Sequence, residues 1–198
     1  MTLSIRVWAD YVCPWCYIGL VELERVRGEF DLSIERLPFE LRPDAPETGW
    51  ALPEHIRAKL ESAGNPVRTR AKQLGIEIRE RTHIPSSRRA HECTEFARAQ
   101  GKIDPFHAAV LKSYWSDGED IHEWSVLEKI ATSVGLDAAA MRESVEAGTW
   151  KRAFEERVAE AHEIGIHAVP TFVIAERFVV EGAQSAEVFR QALQRAMQ

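Results

Sequence analysis

Two cysteines, Cys13 and Cys16, lie where one hydrophobic periodicity of the chain ends and another begins. Before them, apolar and polar residues alternate with the period of two that is typical of a β-strand. The apolar positions of this stretch are Leu3, Ile5, Val7 and Ala9. After them, apolar residues recur at three- and four-residue steps, which predicts the buried stripe of an α-helix. The members of this stripe are Cys16, Leu20, Leu23, Val26 and Phe30. The sequence therefore predicts a cysteine pair at a strand-to-helix turn.

The start of a helix favours the chemistry of thiols. Unpaired backbone N–H groups and the positive end of the helix dipole stabilise an anion there, so a cysteine at this position ionises more readily. Pro14 suits the first helical turn, where its missing N–H removes no intrahelical hydrogen bond. The two intervening residues place Cys16 one turn beyond Cys13, within reach of a mixed disulfide formed at Cys13. The spacing is therefore typical of dithiol–disulfide exchange.

A zinc site is the competing interpretation of the pair. Three cysteines in 198 residues do not make a disulfide framework, so the pair is either redox-active or metal-binding. Zinc would need two further ligands, and the seven histidines are scattered along the chain. His162 and His167 are five residues apart, and His91 and Cys93 are two apart; neither spacing places both side chains on one helix face. The sequence therefore favours redox chemistry and predicts no metal.

Charge and hydropathy exclude several classes of function. The net charge of −6 gives no reason to expect a nucleic-acid partner, which normally calls for a basic face. No apolar run approaches the roughly 20 residues that span a bilayer. The first residues enter a strand directly and have neither a basic start nor an apolar leader, so we expect a cytoplasmic protein.

The rest of the chain suggests one α/β domain interrupted by helices. A second strand is predicted over 31–41, and a change of hydrophobic phase near Arg36 suggests either a bulge or the end of that strand. Nothing from Trp50 to Gly148 resembles a strand, whereas helix-start signals recur, so we predict five or six helices there. A helix, a two-stranded hairpin and a final helix follow. The predicted divisions are 1–45, a helical insertion over 46–148, and 149–198.

Local signals place several helix and strand ends. Four residues are predicted to cap helices: Asn65 and Asp104, each followed by proline, together with Asp137 and Ser185. The predicted hairpin runs from Thr171 to Val180, although Glu176-Arg177 is a poor sequence for a tight turn. Four residues of the last helix are predicted to face inward, namely Val188, Phe189, Ala192 and Leu193.

The chain resembles a known family at three motifs. They are Asp10-Tyr-Val-Cys-Pro-Trp-Cys-Tyr-Ile-Gly19, Leu37-Pro-Phe-Glu-Leu-Arg-Pro43 and Val180-Glu-Gly-Ala-Gln184. Together with Val169-Pro170 and the long helical insertion, they resemble the thioredoxin-like fold of the DsbA-like group, and in particular its FrnE branch. That branch is related to the 2-hydroxychromene-2-carboxylate isomerases and the kappa-class glutathione transferases. The resemblance implies a thioredoxin-like domain, built from a β-α-β half and an α-β-β-α half, with a large all-helical insertion.

The resemblance also implies roles for individual residues. Cys13 matches the exposed attacking cysteine and Cys16 the buried resolving one. Pro170 matches a cis-proline that faces the disulfide, which leaves the backbone of Val169 to pair with a substrate. A set of residues is accordingly expected to contact substrate: Pro14, Trp15, Val169, Pro170 and Thr171. Trp15 stands where DsbA carries a histidine that stabilises the thiolate, so the resemblance implies a less oxidising disulfide.

Three further residues keep two interpretations each. Asp10 could relay a proton near Cys16 or cap the helix start. His91 could overhang the cysteines, as the family's fold suggests, or be a solvated or structurally hydrogen-bonded side chain. Cys93 could be a small buried residue or a second redox thiol.

The predicted function is that of a thiol–disulfide oxidoreductase or protein disulfide isomerase that acts on protein or small-molecule disulfides and dithiols. A glutathione-dependent isomerase or transferase acting on an aromatic or polyketide-like molecule is the alternative, and a non-catalytic chaperone is a third hypothesis. No metal or organic cofactor is required, although glutathione or another small thiol is a candidate cosubstrate. The cycle needs a thiol reductant or oxidant as partner. Both a monomer and a homodimer fit the sequence.

Overall fold

The computed structural model describes residues 2–46, 48–62 and 65–198. In chain order its elements are β1 (Leu3–Ala9), α1 (Pro14–Arg27), β2 (Leu32–Pro38), β3 (Trp50–Ala51), α2 (Glu54–Glu61), α3 (Pro66–Leu74), β4 (His83–Ile84), α4 (Arg88–Ala99), α5 (Ile103–Lys112), a π-helical turn (Ser113–Asp117), α6 (Trp124–Ser133), α7 (Ala138–Glu146), α8 (Lys151–Glu163), β5 (Thr171–Ile174), β6 (Phe178–Glu181) and α9 (Ala186–Ala196).

The chain divides into two compact units. One contains the chain up to Phe39 together with Arg157–Gln198, and the other is Glu40–Glu156. The second unit is therefore longer at both ends than the predicted insertion over 46–148. Its extra ends are held by side-chain contacts within the unit, because Arg88 pairs with Glu40 at 2.9 Å and with Glu155 at 3.1 Å.

The first unit is built on a four-stranded sheet in the order β2-β1-β5-β6. β1 and β2 are parallel, whereas β1 pairs antiparallel with β5 and β5 antiparallel with β6. With α1 between the parallel strands, the predicted β-α-β half is confirmed, and β5, β6 and α9 confirm the second half. Part of its core contains Trp8, Leu37, Phe39, Ala161 and Ile166.

The change of hydrophobic phase near Arg36 marks neither a bulge nor the end of β2. The pairing of β1 with β2 is regular from Leu3 opposite Leu32 to Ala9 opposite Pro38. Arg36 and Leu37 are both buried, and the guanidinium of Arg36 reaches Glu24 at 3.0 Å. The prediction was wrong because a buried arginine with a carboxylate partner breaks the hydrophobic pattern without breaking the strand. Pro38 ends an edge strand, where proline is tolerated.

Helix α1 buries four of the five residues of the predicted stripe, namely Cys16, Leu20, Leu23 and Val26, whereas Phe30 follows the end of the helix and is only half-buried. It also buries a carboxylate, since the side chain of Glu22 is fully inaccessible. The Oε2 atom of Glu22 accepts a hydrogen bond from the backbone N–H of Ala186 at 3.0 Å. That N–H lies at the first residue of α9, where backbone donors have no intrahelical partner. Glu22 therefore ties α1 to the start of α9.

Helix α9 confirms one predicted cap and corrects one predicted side chain. Ser185 caps the helix through its side-chain oxygen, which accepts from the N–H of Val188. Phe189 and Leu193 are buried, but the side chain of Val188 is exposed. The buried stripe is Phe189, Leu193 and Ala196, and Val188 lies about 100° from Phe189 around the helix.

The β5–β6 hairpin forms despite its turn sequence. Ile174 pairs with Phe178, and the N–H of Arg177 donates to the carbonyl of Ile174 at 3.1 Å. The two residues at the tip, Ala175 and Glu176, have φ values of 51° and 53°. This is the left-handed geometry that a tight hairpin needs, and two residues with side chains adopt it without glycine. The predicted hairpin is confirmed.

The second unit contains six described α-helices and one π-helical turn. It also contains a short sheet, which contradicts the prediction of no strands from Trp50 to Gly148: β3 pairs antiparallel with β4. Strands of two residues are too short to show a period of two, so the sequence pattern could not reveal them.

The predicted caps within the second unit have mixed outcomes. Asn65 accepts from the N–H of Val67 at 2.9 Å, and Asp137 from that of Ala140 at 3.0 Å, so both predictions are confirmed. The prediction for Asp104 is wrong, because α5 already begins at Ile103. A proline in the first turn of a helix removes no intrahelical hydrogen bond, so an Asp-Pro pair does not determine which residue begins the helix.

No described helix is both long and apolar enough to cross a membrane.

Candidate active site

The cysteine pair lies at the amino-terminal end of α1. Cys13 is the N-cap residue with extended backbone, Pro14 is the first helical residue, and Cys16 follows one turn later. Both are free thiols. The exposed fraction is 6% for Cys13 and zero for Cys16. Cys13 is therefore the more accessible thiol, but it is buried rather than exposed as the family resemblance implied.

The two thiols have opposite electrostatic environments. A hydrogen bond from the Cys16 thiol lowers the pKa of Cys13 below that of an ordinary thiol, against an opposing effect of burial, and the backbone N–H groups of Cys16 and Trp15 lower this pKa further. For Cys16, complete burial raises the pKa well above the ordinary value, and the hydrogen bond to Cys13 raises it more. These environments ease the ionisation of Cys13 relative to an ordinary thiol and oppose the ionisation of Cys16.

The segment before β5 lies against Cys13. The peptide bond between Val169 and Pro170 is cis. The Sγ atom of Cys13 donates to the carbonyl oxygen of Val169 at 3.7 Å. Strand pairing explains this meeting, because Trp8 near the end of β1 lies opposite Thr171 at the start of β5. The loop that follows β1 and the loop that precedes β5 therefore lie at the same end of these two neighbouring strands.

Side-chain and backbone hydrogen bonds hold this segment in place. The hydroxyl of Thr171 is buried and donates to the carbonyl of Ala168 at 2.8 Å. The carbonyl of Pro170 accepts from the N–H of Gly182 at 2.8 Å. The predicted residues Val169, Pro170 and Thr171 thus lie in one segment beside Cys13, with Thr171 in a supporting position rather than at an exposed one.

Gly19 is a residue of this site that the sequence analysis missed. A Cβ atom at this position would lie 3.0 Å from Cγ of Pro170 and 3.3 Å from the Cα of Ala183. Because Gly19 has no side chain, Pro170 can approach α1, the helix that carries Cys16. A glycine within a predicted helix is the signal that could have revealed this contact, because glycine destabilises a helix interior and is often retained for close packing.

Asp10 is fully buried beside the cysteines. Its Oδ1 atom accepts from the N–H of Val12 at 3.3 Å, and its carbonyl accepts from the N–H of Cys13 at 3.1 Å. Its negative charge raises the pKa of both Cys13 and Cys16, although it is a lesser cause in each case. Asp10 is therefore not the helix cap, which is Cys13, but it holds the turn that leads into the helix.

The aromatic residues around the motif differ in how far they are exposed. Trp15, whose place in the motif favours an exposed side chain, is half-buried, and so is Tyr17. Tyr11 is almost fully buried. Pro14 is also half-buried. Trp15 and Pro14 thus retain the partly accessible surface that a contact with substrate requires.

Two of the residues with open interpretations belong to the second unit. His91 is buried there, and its ring stacks on Phe154 with the ring centres 5.6 Å apart. The solvated interpretation of His91 is therefore wrong. Cys93 is fully buried, and this burial raises its pKa strongly, which suits a small core residue rather than a reactive thiol. Within the described residues, no three His, Cys, Asp or Glu side chains are grouped so that they could hold a metal ion.

Comparisons of the sequence and of the structure with known proteins both find DsbA-like proteins. The sequence model of a family described as a DSBA-like thioredoxin domain matches residues 4–194. The uncharacterized protein YwbO from Bacillus subtilis (strain 168) is 31% identical over 197 residues, which are 98% of this chain and 96% of YwbO. A 2-hydroxychromene-2-carboxylate isomerase from Sphingobium xenophagum is 21% identical over 185 residues, which are 89% of this chain and 91% of the isomerase. A solved structure described as a probable DsbA oxidoreductase from Streptomyces coelicolor has a TM-score of 0.87 at 25% identity, covering 98% of this chain and 90% of that one.

Proposed function

The chain belongs to the family of DsbA-like thioredoxin domains, and on this premise we propose that it is a thiol–disulfide oxidoreductase that works through Cys13 and Cys16. The observation that carries the proposal is the placement of the two thiols: Cys13 is the N-cap residue of α1, with its sulfur against the carbonyl of Val169, and Cys16 lies one turn further along the helix. The pKa of Cys13 is lowered, and Cys13 is the more accessible of the two thiols. The pKa of Cys16 is raised and Cys16 is inaccessible. One thiol is thus prepared to attack, and the other keeps its proton until a later step.

The reductive direction has two displacement steps. The thiolate of Cys13 attacks one sulfur of a substrate disulfide, forms a mixed disulfide with it, and releases the other substrate sulfur as a thiolate. Cys16 then loses its proton and attacks the sulfur of Cys13, which forms the Cys13–Cys16 disulfide and releases the second substrate thiolate. Two electrons pass from the protein dithiol to the substrate. The same steps in reverse oxidise a substrate dithiol.

Val169 and Pro170 would form the surface on which the substrate lies. Because the carbonyl of Val169 faces the sulfur of Cys13, a substrate backbone N–H that bonds to this carbonyl would lie beside the reacting sulfur. Pro14 and Trp15 would contact the substrate from the helix side, since both keep part of their surface accessible. Trp15 supplies no cation to the thiolate, so we expect a weaker oxidant than a protein with a histidine at this position.

The proposed cycle needs no metal and no organic cofactor. A separate thiol reductant, or an oxidant for the opposite direction, must return the pair to its starting state, and glutathione or another small thiol is a chemically adequate choice. Residence in the cytoplasm, which the sequence led us to expect, is part of this proposal.

Cleavage of a disulfide under single-turnover conditions tests the proposal. The reduced protein is mixed with glutathione disulfide that carries a self-quenching fluorophore on each half, and the release of fluorescence is followed. The wild type and a Cys93→Ala control should cleave it at similar rates. Cys13→Ser should be inactive, and Cys16→Ser should stop at a mixed disulfide that mass spectrometry detects. Full activity of Cys13→Ser would refute the proposal.

The sequence match to a 2-hydroxychromene-2-carboxylate isomerase favours a second candidate function. In this case the protein would isomerise an aromatic small molecule with glutathione as cosubstrate. Incubation with glutathione and a 2-hydroxychromene-2-carboxylate should then give conversion that persists in Cys16→Ser, because no resolving thiol is needed. If no conversion occurs in the wild type or in Cys16→Ser, this candidate is excluded.

A further inference from the structure

The second unit contains a cavity of about 530 Å³ that the proposed exchange chemistry does not use. Its size lies within the range of small-molecule sites. Every described residue that lines it belongs to Glu40–Glu156. The polar and aromatic residues of its lining include Glu40, Arg88, Arg89, Glu92, His122 and Trp124. The cavity therefore offers several charged groups around a space large enough for a small organic molecule.

The positive charges of the cavity already have partners. Arg88 makes two hydrogen bonds to the carboxylate of Glu40, at 2.9 Å and 3.3 Å, and pairs with Glu155 as well. Arg89 donates to the carbonyl of His122 and lies over the ring of Trp124, 4.9 Å from its centre. A further anion in the cavity would therefore compete with contacts that these two guanidinium groups already make.

The carboxylate of Glu92, in the same cavity, lacks such a partner. Among the described residues, none donates a hydrogen bond to the half-buried carboxylate of Glu92. Burial raises the pKa of Glu92, and the positive charge of Arg88 only partly opposes this. The Nδ1 atom of His122 also has no hydrogen-bond partner in the part of the chain that the structure describes, but this atom is inaccessible to a water-sized probe, so a ligand in the cavity could not reach it. The carboxylate of Glu92 is therefore the group that a ligand could stabilise by donating hydrogen bonds.

From this geometry we infer that the cavity binds a small organic cation, whose ammonium or amidinium group donates to Glu92. A carboxylate accepts charge-assisted hydrogen bonds from such a group, and these are stronger than neutral ones. A metal ion is the less suitable occupant, because no three ligating side chains are grouped together in residues 2–46, 48–62 and 65–198. The third acidic residue of the lining, Glu146, is already paired with Arg142 at 3.0 Å, which leaves Glu92 as the acceptor.

Three molecules of matched size and different charge test the inference: phenethylamine is a cation, 3-phenylpropionate an anion and 3-phenylpropanol neutral. Binding to the full chain is measured by isothermal titration calorimetry and by ligand-observed NMR. The cation should bind most tightly, and Glu92→Gln should weaken it about tenfold, because a charge-assisted hydrogen bond is replaced by a neutral one. Glu163→Gln, an exposed site on α8, removes the same charge elsewhere and should leave the affinity unchanged.

Each of the other outcomes overturns the inference. Tighter binding of 3-phenylpropionate would mean that the arginines, rather than Glu92, define the site. Equal binding by wild type and Glu92→Gln would place the cation elsewhere. No binding of phenethylamine up to roughly 10 mM would mean that the cavity has no affinity for this class of ligand. Chemical shifts of the His122 ring should move on binding in the wild type, which locates the ligand independently of any variant.

Discussion

Replacing Gly19 by alanine should destabilise the first unit, although the same change usually stabilises a helix. Gly19 lies within α1, where alanine is favoured over glycine by about 0.5–1 kcal/mol. The added Cβ, however, would lie 3.0 Å from Cγ of Pro170 and 3.3 Å from both Ala183 and Phe172. Overpacking of this kind costs about 1–3 kcal/mol. The overpacking is the larger effect, and we expect a net loss of about 1 kcal/mol.

The same helix supplies a matched control. Gly28 follows the last residue of α1, has φ of −73°, and an added Cβ would meet nothing within 4 Å. Gly28→Ala should therefore stabilise the protein by about 0.4–1 kcal/mol, because it restricts the unfolded chain without any clash. The two variants make the same chemical change, so the difference between them isolates the contact with Pro170.

Equilibrium unfolding in urea, with both proteins fully reduced and followed by far-ultraviolet circular dichroism, measures the two free energies of unfolding. We expect Gly28→Ala to lie about 2 kcal/mol above Gly19→Ala, which is the sum of the gain and the loss derived from these contacts. If Gly19→Ala is as stable as Gly28→Ala, Pro170 does not pack against α1 as described, and the reasoning is refuted.

Three further outcomes follow from other contacts. Iodoacetamide should alkylate Cys13 at a pH lower than the pH at which it alkylates an ordinary thiol. Cys16→Ala should shift the pH profile of this rate to higher pH, because the hydrogen bond from Cys16 is the main cause of the lowered pKa of Cys13. An unchanged pH profile would contradict this assignment. Glu22→Met should reduce the free energy of unfolding by about 1–3 kcal/mol, because methionine leaves the N–H of Ala186 without an acceptor. Glu22→Gln keeps an acceptor oxygen and should cost less. Equal losses of the two variants in urea unfolding would show that this hydrogen bond is unimportant. Glu176→Gly should stabilise the protein by about 0.5–1 kcal/mol in thermal unfolding, because glycine adopts a positive φ without steric cost, and a lower melting temperature would count against the strained turn.

The parts of the fold that short-range physics determines could be predicted from the sequence. The turn from β1 to α1 follows from the switch of hydrophobic period around Cys13, and the caps at Asn65 and Asp137 follow from side chains that bond to N–H groups two or three residues away. The hairpin was also predictable, because its two apolar runs are close in sequence.

Several of the features that were mispredicted or missed depend on partners distant in sequence. The pairing of Trp50 with Ile84 joins residues that share no local pattern. The burial of Arg36 depends on its ion pair with Glu24 in α1. The approach of Pro170 to Gly19 likewise joins two parts of the chain that the sequence cannot bring together by periodicity.

Under the proposed function, the hydrogen bond from Cys13 to Val169 would link the charge of Cys13 to the docking of a substrate. When Cys13 loses its proton, the carbonyl of Val169 loses this donor and would be open to a substrate N–H. Thermodynamic reciprocity then requires that a substrate bound at this carbonyl lowers the pKa of Cys13 further. The thiolate would therefore be most abundant while a substrate is in place. One backbone oxygen would thus limit the side reactions of an activated cysteine.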